Sequence, residues 1–350
     1  MGIKIFGDHM VWDKKISQSV IDWLLEEDEN NPSIRYFTLV DLLGEKPESR
    51  KVVQAWGKLM NCGPVPEILL KQHADGYWVE PGAGYRPKYT STVWSLIMLA
   101  QLGADGCEPF IQRACDYVLD HTRGKMGCFS VYATQTGAVH CLQGNLAAAL
   151  IDLGMINDPR LTEAIDWMAR SATGEGFGSV GEKDVNPHYI RSGISGPGLL
   201  CSANDHKPCA WGAVKVALAL SKIPPEKRSP QVNSAITACK DFLLSKDPAA
   251  ADYPHPYAKK PSGSWFKFGF PMFYVTDVLQ NLSALLGLGL AGDQRLRNAI
   301  ELVESKQDDA GRWKMEYTYN GKTWVDIEEK GQLSKWVTYR ALSVLKRYYH

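Results

Sequence analysis

The sequence has no excess of charge of one sign. Its 350 residues include 39 lysines and arginines and 39 aspartates and glutamates, so the formal net charge is zero. A nucleic-acid-binding protein usually carries a basic face, and the equal numbers of basic and acidic residues therefore predict no nucleic-acid partner.

Long apolar runs are also lacking. The longest, such as 93–100 and 284–291, are far too short to span a bilayer, and we expect no transmembrane segment.

Export signals and nucleotide-binding loops are lacking as well. The first fifteen residues contain no apolar core of signal-peptide length. Neither a Walker A loop nor a dinucleotide-binding fingerprint occurs. Eight cysteines in a chain without an export signal are typical of a reduced protein whose thiols are free or bind a metal. The expected localisation is cytoplasmic.

A repeat runs along the chain. The segments QHADGYW, ending at Trp78, and QDDAGRW, ending at Trp313, share the pattern Gln-x-x-x-Gly-x-Trp. Weaker copies surround Gly127, Gly176 and Gly263. The glycines recur at about fifty residues, with one longer interval, and a period of this size is typical of repeat architectures. In each full motif the Gln and Trp are expected to be structural and to tie one helical pair to the next.

Two kinds of helix alternate between these turns. Helices that are apolar on all sides are buried, whereas a single apolar stripe marks a surface helix. The predicted buried helices span 33–43, 90–102, 140–153, 209–221, 274–286 and 335–347. The predicted amphipathic helices span 17–26, 49–59 (or 49–70), 109–121, 161–171, 229–245 and 295–305. No comparable strand signal occurs.

These patterns predict an all-α fold, an (α/α)6 toroid of about six inner and six outer helices. We expect one domain over 1–350, in which 1–32 form an amino-terminal outer-helix segment and 33–350 form repeated helical pairs. The two full motifs resemble the QW repeats of squalene and oxidosqualene cyclases. The fifty-residue unit resembles that of the wider prenyltransferase and terpene-cyclase toroid superfamily, and the resemblance runs from about Ser33 to the end.

The sharpest chemical signal is a cluster of cysteine and histidine before a buried helix. Cys201, His206 and Cys209 lie within nine residues, and Cys141 stands at the start of the preceding buried helix. Zinc prefers thiolate and imidazole ligands in tetrahedral geometry, so these four residues are candidate zinc ligands. The alternative is that the cysteines are ordinary core residues.

The family resemblance favours zinc. The β subunits of protein farnesyl- and geranylgeranyltransferases hold zinc through Asp, Cys and His near the inner-helix starts. Asp205-x3-Cys209-Ala-Trp211 loosely resembles their Asp-x-Cys-Tyr-x-x-Trp stretch, although its Asp–Cys spacing differs. Those subunits need an α partner, and this sequence leaves any partner protein open.

Carboxyl groups are the candidates for proton transfer. The Asp-x-Asp-Asp motif of class II terpene cyclases is absent, and Asp277, at the head of an inner helix, is the best isolated acid. A carboxyl group buried beside aromatic rings has a raised pKa and can act as a general acid. The alternative is an aspartate that caps the helix. Asp205 is a second candidate, either for proton transfer or for orienting a ligand.

Aromatic and basic side chains are candidate substrate-binding groups. Aromatics near inner-helix starts could line a central apolar cavity or pack in the core: Tyr36, Trp94, Trp211, Tyr274, Trp336 and Tyr339. Arg86 and Lys267 lie in linkers, where they would bind a diphosphate or carboxylate or simply be solvated.

The sequence therefore predicts a zinc-dependent transferase or cyclase-type enzyme that acts on a small or isoprenoid-like substrate in the central cavity. Two alternatives stay open. One is a metal-free, terpene-cyclase-like enzyme that uses Asp277 as its acid. The other is a non-catalytic binding toroid with a structural metal, because a site with four closed protein ligands is typical of structural zinc.

Overall fold

The computed structural model describes residues 16–178, 182–189, 194–256 and 260–350. Helices dominate this part of the chain, which confirms the all-α prediction. Their bounds are α1 Gln18–Leu25, α2 Pro32–Phe37, α3 Arg50–Asn61, α4 Pro64–Leu69, α5 Thr92–Gln101, α6 Pro109–His121, α7 His140–Asp152, α8 Pro159–Thr173, α9 Ala210–Ser221, α10 Pro230–Leu244, α11 Val278–Gly287, α12 Arg297–Ser305 and α13 Lys335–Tyr349. A π-helical turn, Thr38–Leu42, extends α2.

Burial separates the helices as their sequence patterns predict. In α5, α7 and α9 nearly every residue is buried, including polar ones such as Gln143 and Lys215. By contrast α3, α6 and α12 bury one stripe each and expose the opposite face. The surface helices α3 and α10 begin at serine caps, where Ser49 accepts from the Val52 N–H and Ser229 from the Val232 N–H.

The buried helices contact one another in chain order. Helix α5 packs on α7, α7 on α9, α9 on α11 and α11 on α13, and α13 returns to α2 and its π-turn. Each surface helix packs on a buried neighbour: α6 on α5, α8 on α7, α10 on α9 and α12 on α11. Helices α7 and α9 approach each other closely at Gly144, where an added Cβ would lie 2.2 Å from the Lys215 carbonyl carbon.

The tryptophans of the two full repeat motifs make the same contacts. The Trp78 indole N–H donates to the Ile68 carbonyl at 2.8 Å, and that of Trp313 donates to the Val303 carbonyl at 2.8 Å. The backbone N–H of Trp78 donates to Thr92 Oγ1 at the start of α5, and that of Trp313 donates in the same way to a threonine of α13. Each tryptophan therefore ties a surface helix to the next buried helix, which confirms the structural role predicted for the motif.

Two details differ from the predictions. Two short antiparallel strand pairs occur where no strand was expected, β1 Leu200–Cys201 with β2 Lys207–Pro208, and β3 Trp313–Lys314 with β4 Leu333–Ser334. Helix α11 begins at Val278 rather than at residue 274, because the Asp277 side chain caps it there.

Among the residues that the structure describes, no helix is both long and apolar enough to cross a membrane.

Candidate functional site

The candidate site is an apolar cavity of about 390 Å³ at the amino-terminal ends of three buried helices. Cys141 of α7, Trp211 of α9 and Tyr274, which precedes α11, form one wall. Further residues of the lining are Cys201, Ala203, Cys209, Tyr253, His255 and Trp265. Ligand sites of this kind are concave, mostly apolar and about 300–1,000 Å³ in volume.

The β1–β2 hairpin places two thiols on this wall. Leu200 pairs with Pro208 and Cys201 with Lys207, and the Cys209 N–H donates to the Leu199 carbonyl at 2.9 Å. Because side chains alternate between the two faces of a strand pair, Cys201 and Cys209 lie on the same face. The tight turn of the hairpin is built by two residues with positive φ, Asp205 at 56° and His206 at 53°.

The two thiols influence each other's ionisation. The neighbouring Cys209 thiol lowers the pKa of Cys201, and the backbone N–H groups of Ala203 and Asn204 act in the same direction. The neighbouring Cys201 thiol and burial both raise the pKa of Cys209. Cys201 is half-buried, and both thiols line the cavity.

Cys141 faces the same cavity but has a different character. Burial raises its pKa to about 12, while nearby Lys215 opposes that shift. Three of the four candidate zinc ligands therefore share one cavity, as the sequence predicts. Even so, within the described ranges no three His, Cys, Asp or Glu side chains are grouped so that they could hold a metal ion. A zinc site needs at least three protein ligands, so the three thiols would have to rearrange to bind this ion.

The structure places the fourth candidate ligand elsewhere. His206 and Asp205 are exposed at the tip of the hairpin and are not part of the cavity lining. The Asp205 carboxylate accepts from Lys207 Nζ at 2.9 Å, and this ion pair lowers the pKa of Asp205. The backbone turn accounts for both positions, because the residues that reverse the chain direct their side chains away from the wall.

Asp277 has the contacts of a capping carboxylate. Its Oδ1 accepts from the Gln280 N–H at 2.7 Å, and its two oxygens accept from Arg340 at 3.0 and 2.9 Å. Both side chains are almost completely buried, and Asp277 does not line the apolar cavity. These contacts favour the capping alternative; the acid role stays a prediction.

The predicted aromatic lining is only partly assembled in this cavity. Trp211 and Tyr274 line it, and Trp94 lies behind Tyr274 with a ring-centroid distance of 5.0 Å. Trp336 instead stacks on Phe270 at 3.7 Å and donates its indole N–H to Asn31, so it is a core residue. Tyr36 packs edge-on against Phe37, outside the lining.

Tyr339 faces a second, more polar cavity of about 190 Å³. This cavity is lined by side chains of α5, α7, α9, α11 and α13 and includes Lys222, Arg340 and Arg347. The Tyr339 hydroxyl donates to the Asp41 carboxylate in the π-turn after α2. Side chains from all of the buried helices thus meet at or beside this cavity.

The two basic residues predicted to bind an anion, Arg86 and Lys267, are both exposed. Neither lines the apolar cavity. Lys88, a neighbour of Arg86, lies 6.0 Å from the Tyr274 ring centroid, which is a cation–π distance. Positive charge therefore approaches the site through Lys88 rather than through the two residues expected.

Three residues that line the cavity, Tyr253, His255 and Trp265, were not predicted from the sequence. The Tyr253 hydroxyl donates to the Leu243 carbonyl at 2.7 Å. In the sequence these residues lie in Tyr-Pro-His-Pro, residues 253–256, and in the degenerate Gly263-Ser-Trp265 motif, which predicts only a structural turn. The tertiary fold places all three in the wall.

The chain was compared with known proteins. No family model matches it, and no curated protein matches it. The resemblance to the prenyltransferase and cyclase toroids therefore rests on the sequence motifs alone.

Proposed function

We propose that the helical pairs close into an (α/α)6 toroid. The chain-order contacts of the buried helices and the return of α13 to α2 support this arrangement. The polar cavity lined by five of those helices would then lie on the axis. The Ser33 hydroxyl, which donates to the Leu102 carbonyl at 2.7 Å, would join the first buried helix to the end of the second.

We propose that the protein is an enzyme of the prenyltransferase or terpene-cyclase-like toroid class and that it acts on a small, apolar, isoprenoid-like substrate. The observation that carries the proposal is the apolar cavity with the Cys201 and Cys209 thiols in its wall. Trp211, Tyr274 and Trp265 supply aromatic surface for an unsaturated chain. Cys201 supplies a nucleophilic thiol or a ligand for a metal.

Farnesol tests the class of substrate. We expect the purified protein to bind this isoprenoid alcohol, and Ala203→Trp to weaken binding about tenfold or more, since a tenfold change corresponds to about 1.4 kcal/mol. The physical reason is that Ala203 lies on the cavity wall in an exposed loop, where a large side chain would fill the cavity without disturbing a helix. Titration calorimetry measures both affinities.

Ala310→Trp is the matched control, because Ala310 is exposed in a turn far from the cavity lining. We expect it to bind farnesol like the unmodified protein. Equal weakening by both substitutions, or no binding by the unmodified protein, would contradict an isoprenoid site here. Binding without any conversion of isoprenoid alcohols or diphosphates would favour the non-catalytic binding toroid.

Zinc is a second proposal, supported by the three thiols that line one cavity. Cys201 and Cys209 would supply two ligands and Cys141 a third after a side-chain rearrangement. When bound, zinc would activate a thiol or water or polarise a substrate oxygen.

Elemental analysis tests this proposal. Protein purified without chelators is expected to contain about one zinc per chain, and Cys209→Ala is expected to lose it because a ligand is removed. Cys107→Ala, at an exposed cysteine, is the control that should keep the metal. Metal-free protein would contradict the zinc proposal and would leave farnesol binding as a separate question.

A further inference from the structure

Two buried cations share one buried carboxylate. Lys215 of α9 is 1% exposed, and the hydrogen-bond acceptor that its ammonium group reaches among the described residues is the neutral side-chain carbonyl of Gln280. The Gln280 N–H donates to Asp277, whose carboxylate pairs with the buried Arg340. This connected group therefore holds two positive charges and one negative charge. Buried charges are normally paired, so the surplus favours a negatively charged ligand.

The Arg340 guanidinium has one edge that is open to a ligand. Its Nη1 donates to Asp277 and to the Gly269 carbonyl, and its Nη2 donates to the second Asp277 oxygen. An arginine side chain has five N–H groups, so within the described part of the chain the Nε–H and one Nη2–H make no hydrogen bond. These two groups lie on the same edge of the guanidinium, a fork that matches two oxygens of a carboxylate or phosphate.

Both cations lie at the polar cavity of about 190 Å³. Arg340 and Gln280 line it, and Lys215 lies behind Gln280. Burial lowers the pKa of Lys215 to about 8, so the amine keeps most of its charge at neutral pH. Attraction between charges is stronger in the protein interior than in water, so an anion in this cavity would interact with both side chains.

The other charged groups of the lining do not remove the surplus. Among the described residues the lining includes one carboxylate, that of Asp152, which pairs with Lys222 at 2.8 Å. The lining also includes Arg347, which is exposed and forms no ion pair in the described part of the chain. The Asp41 carboxylate, beside the cavity, accepts from Tyr339. More positive than negative charge therefore surrounds the cavity.

We propose that this polar cavity binds a small oxyanion, a phosphate or a dicarboxylate. Two oxygens of the anion would accept from the open edge of Arg340, and its negative charge would offset the surplus at Lys215. Arg347 would supply further positive charge from the exposed side. The polar and apolar cavities share no lining residue, so this inference does not depend on the proposed function.

Titration calorimetry of the full chain tests the site, in a buffer free of phosphate and carboxylates and with inorganic phosphate and succinate as probes. We expect saturable binding of at least one probe, and the tighter one identifies the class of anion. Lys215→Met removes the surplus charge and should weaken this binding about tenfold or more. Arg340→Lys keeps a charge opposite Asp277 but lacks the open edge, and it should weaken binding to a similar extent.

Arg347→Ala and Arg50→Ala are a matched pair at exposed arginines, where the fold does not depend on the side chain. Arg347 lines the cavity and Arg50 begins α3, so the first should weaken binding about threefold and the second should leave it unchanged. No saturable binding of either probe, unchanged affinity in Lys215→Met or Arg347→Ala, or equal weakening by Arg50→Ala would overturn the inference. Anion binding by a protein that binds no farnesol would overturn the proposed function and leave this inference standing.

Discussion

Asp277→Ala is expected to lower the free energy of unfolding by about 3–5 kcal/mol, the usual effect of removing one partner of a buried ion pair. Asp277 and Arg340 are 3% and 6% exposed, and their side chains form a two-pronged ion pair. Among the described residues, the Arg340 guanidinium would then keep the Gly269 carbonyl as its hydrogen-bond partner and would stay buried without a counter-charge. The substitution would also remove the cap of α11. Urea unfolding followed by circular dichroism measures the change.

The paired substitution Asp277→Leu with Arg340→Met is the control for this experiment. Replacing both charges by apolar groups of similar volume is often neutral or stabilising, so we expect most of the lost stability to return. A change below about 1 kcal/mol for Asp277→Ala would contradict a structural ion pair. Asp277→Ala protein that stays fully stable but loses activity would favour the acid role instead.

Gly144→Ala is expected to lower the free energy of unfolding by about 3 kcal/mol or more, the upper part of the range for overpacking. The added Cβ would lie 2.2 Å from the Lys215 carbonyl carbon and 2.6 Å from the Val216 nitrogen. These are backbone atoms of α9, so no side-chain rotation relieves the clash. Helices α7 and α9 would have to separate; Cys141 of the cavity wall lies in α7, and Cys209 directly precedes α9. Urea unfolding again gives the magnitude.

Gly57→Ala is the matched control, because Gly57 lies inside α3 with nothing within 4 Å of an added Cβ. Alanine in an open helical position is expected to stabilise the protein by about 0.5–1 kcal/mol relative to glycine. The two glycine substitutions should therefore shift stability in opposite directions. Similar stability for both variants would mean that α7 and α9 are not packed as closely as the structure shows.

The sequence predicted the helices well because helical burial has a local signature. The predicted helix at 109–121 coincides with α6, and the predicted helix at 335–347 lies within α13. The repeat motifs were equally informative, since Trp78 and Trp313 make the same contacts. A turn that follows the same residue pattern forms the same hydrogen bonds, whichever repeat contains it.

The sequence predicted the site less completely. It brought Cys141, Cys201 and Cys209 together correctly, because two of them flank one helix start and the third begins the neighbouring helix. It included His206 on the basis of chain proximity, but the hairpin turn directs that residue to solvent. A separation of a few residues in a turn does not determine which face a side chain occupies.

By itself, the sequence determined the alternation of buried and surface helices and the structural role of the repeat tryptophans. The tertiary structure alone decided that Tyr253, His255 and Trp265 line the cavity, that His206 lies outside it and which carboxylate pairs with Arg340. Helix formation depends on residues three and four positions apart. The cavity instead depends on residues such as Cys141, Cys201 and Trp265, which are far apart in the chain and become neighbours only when the buried helices pack.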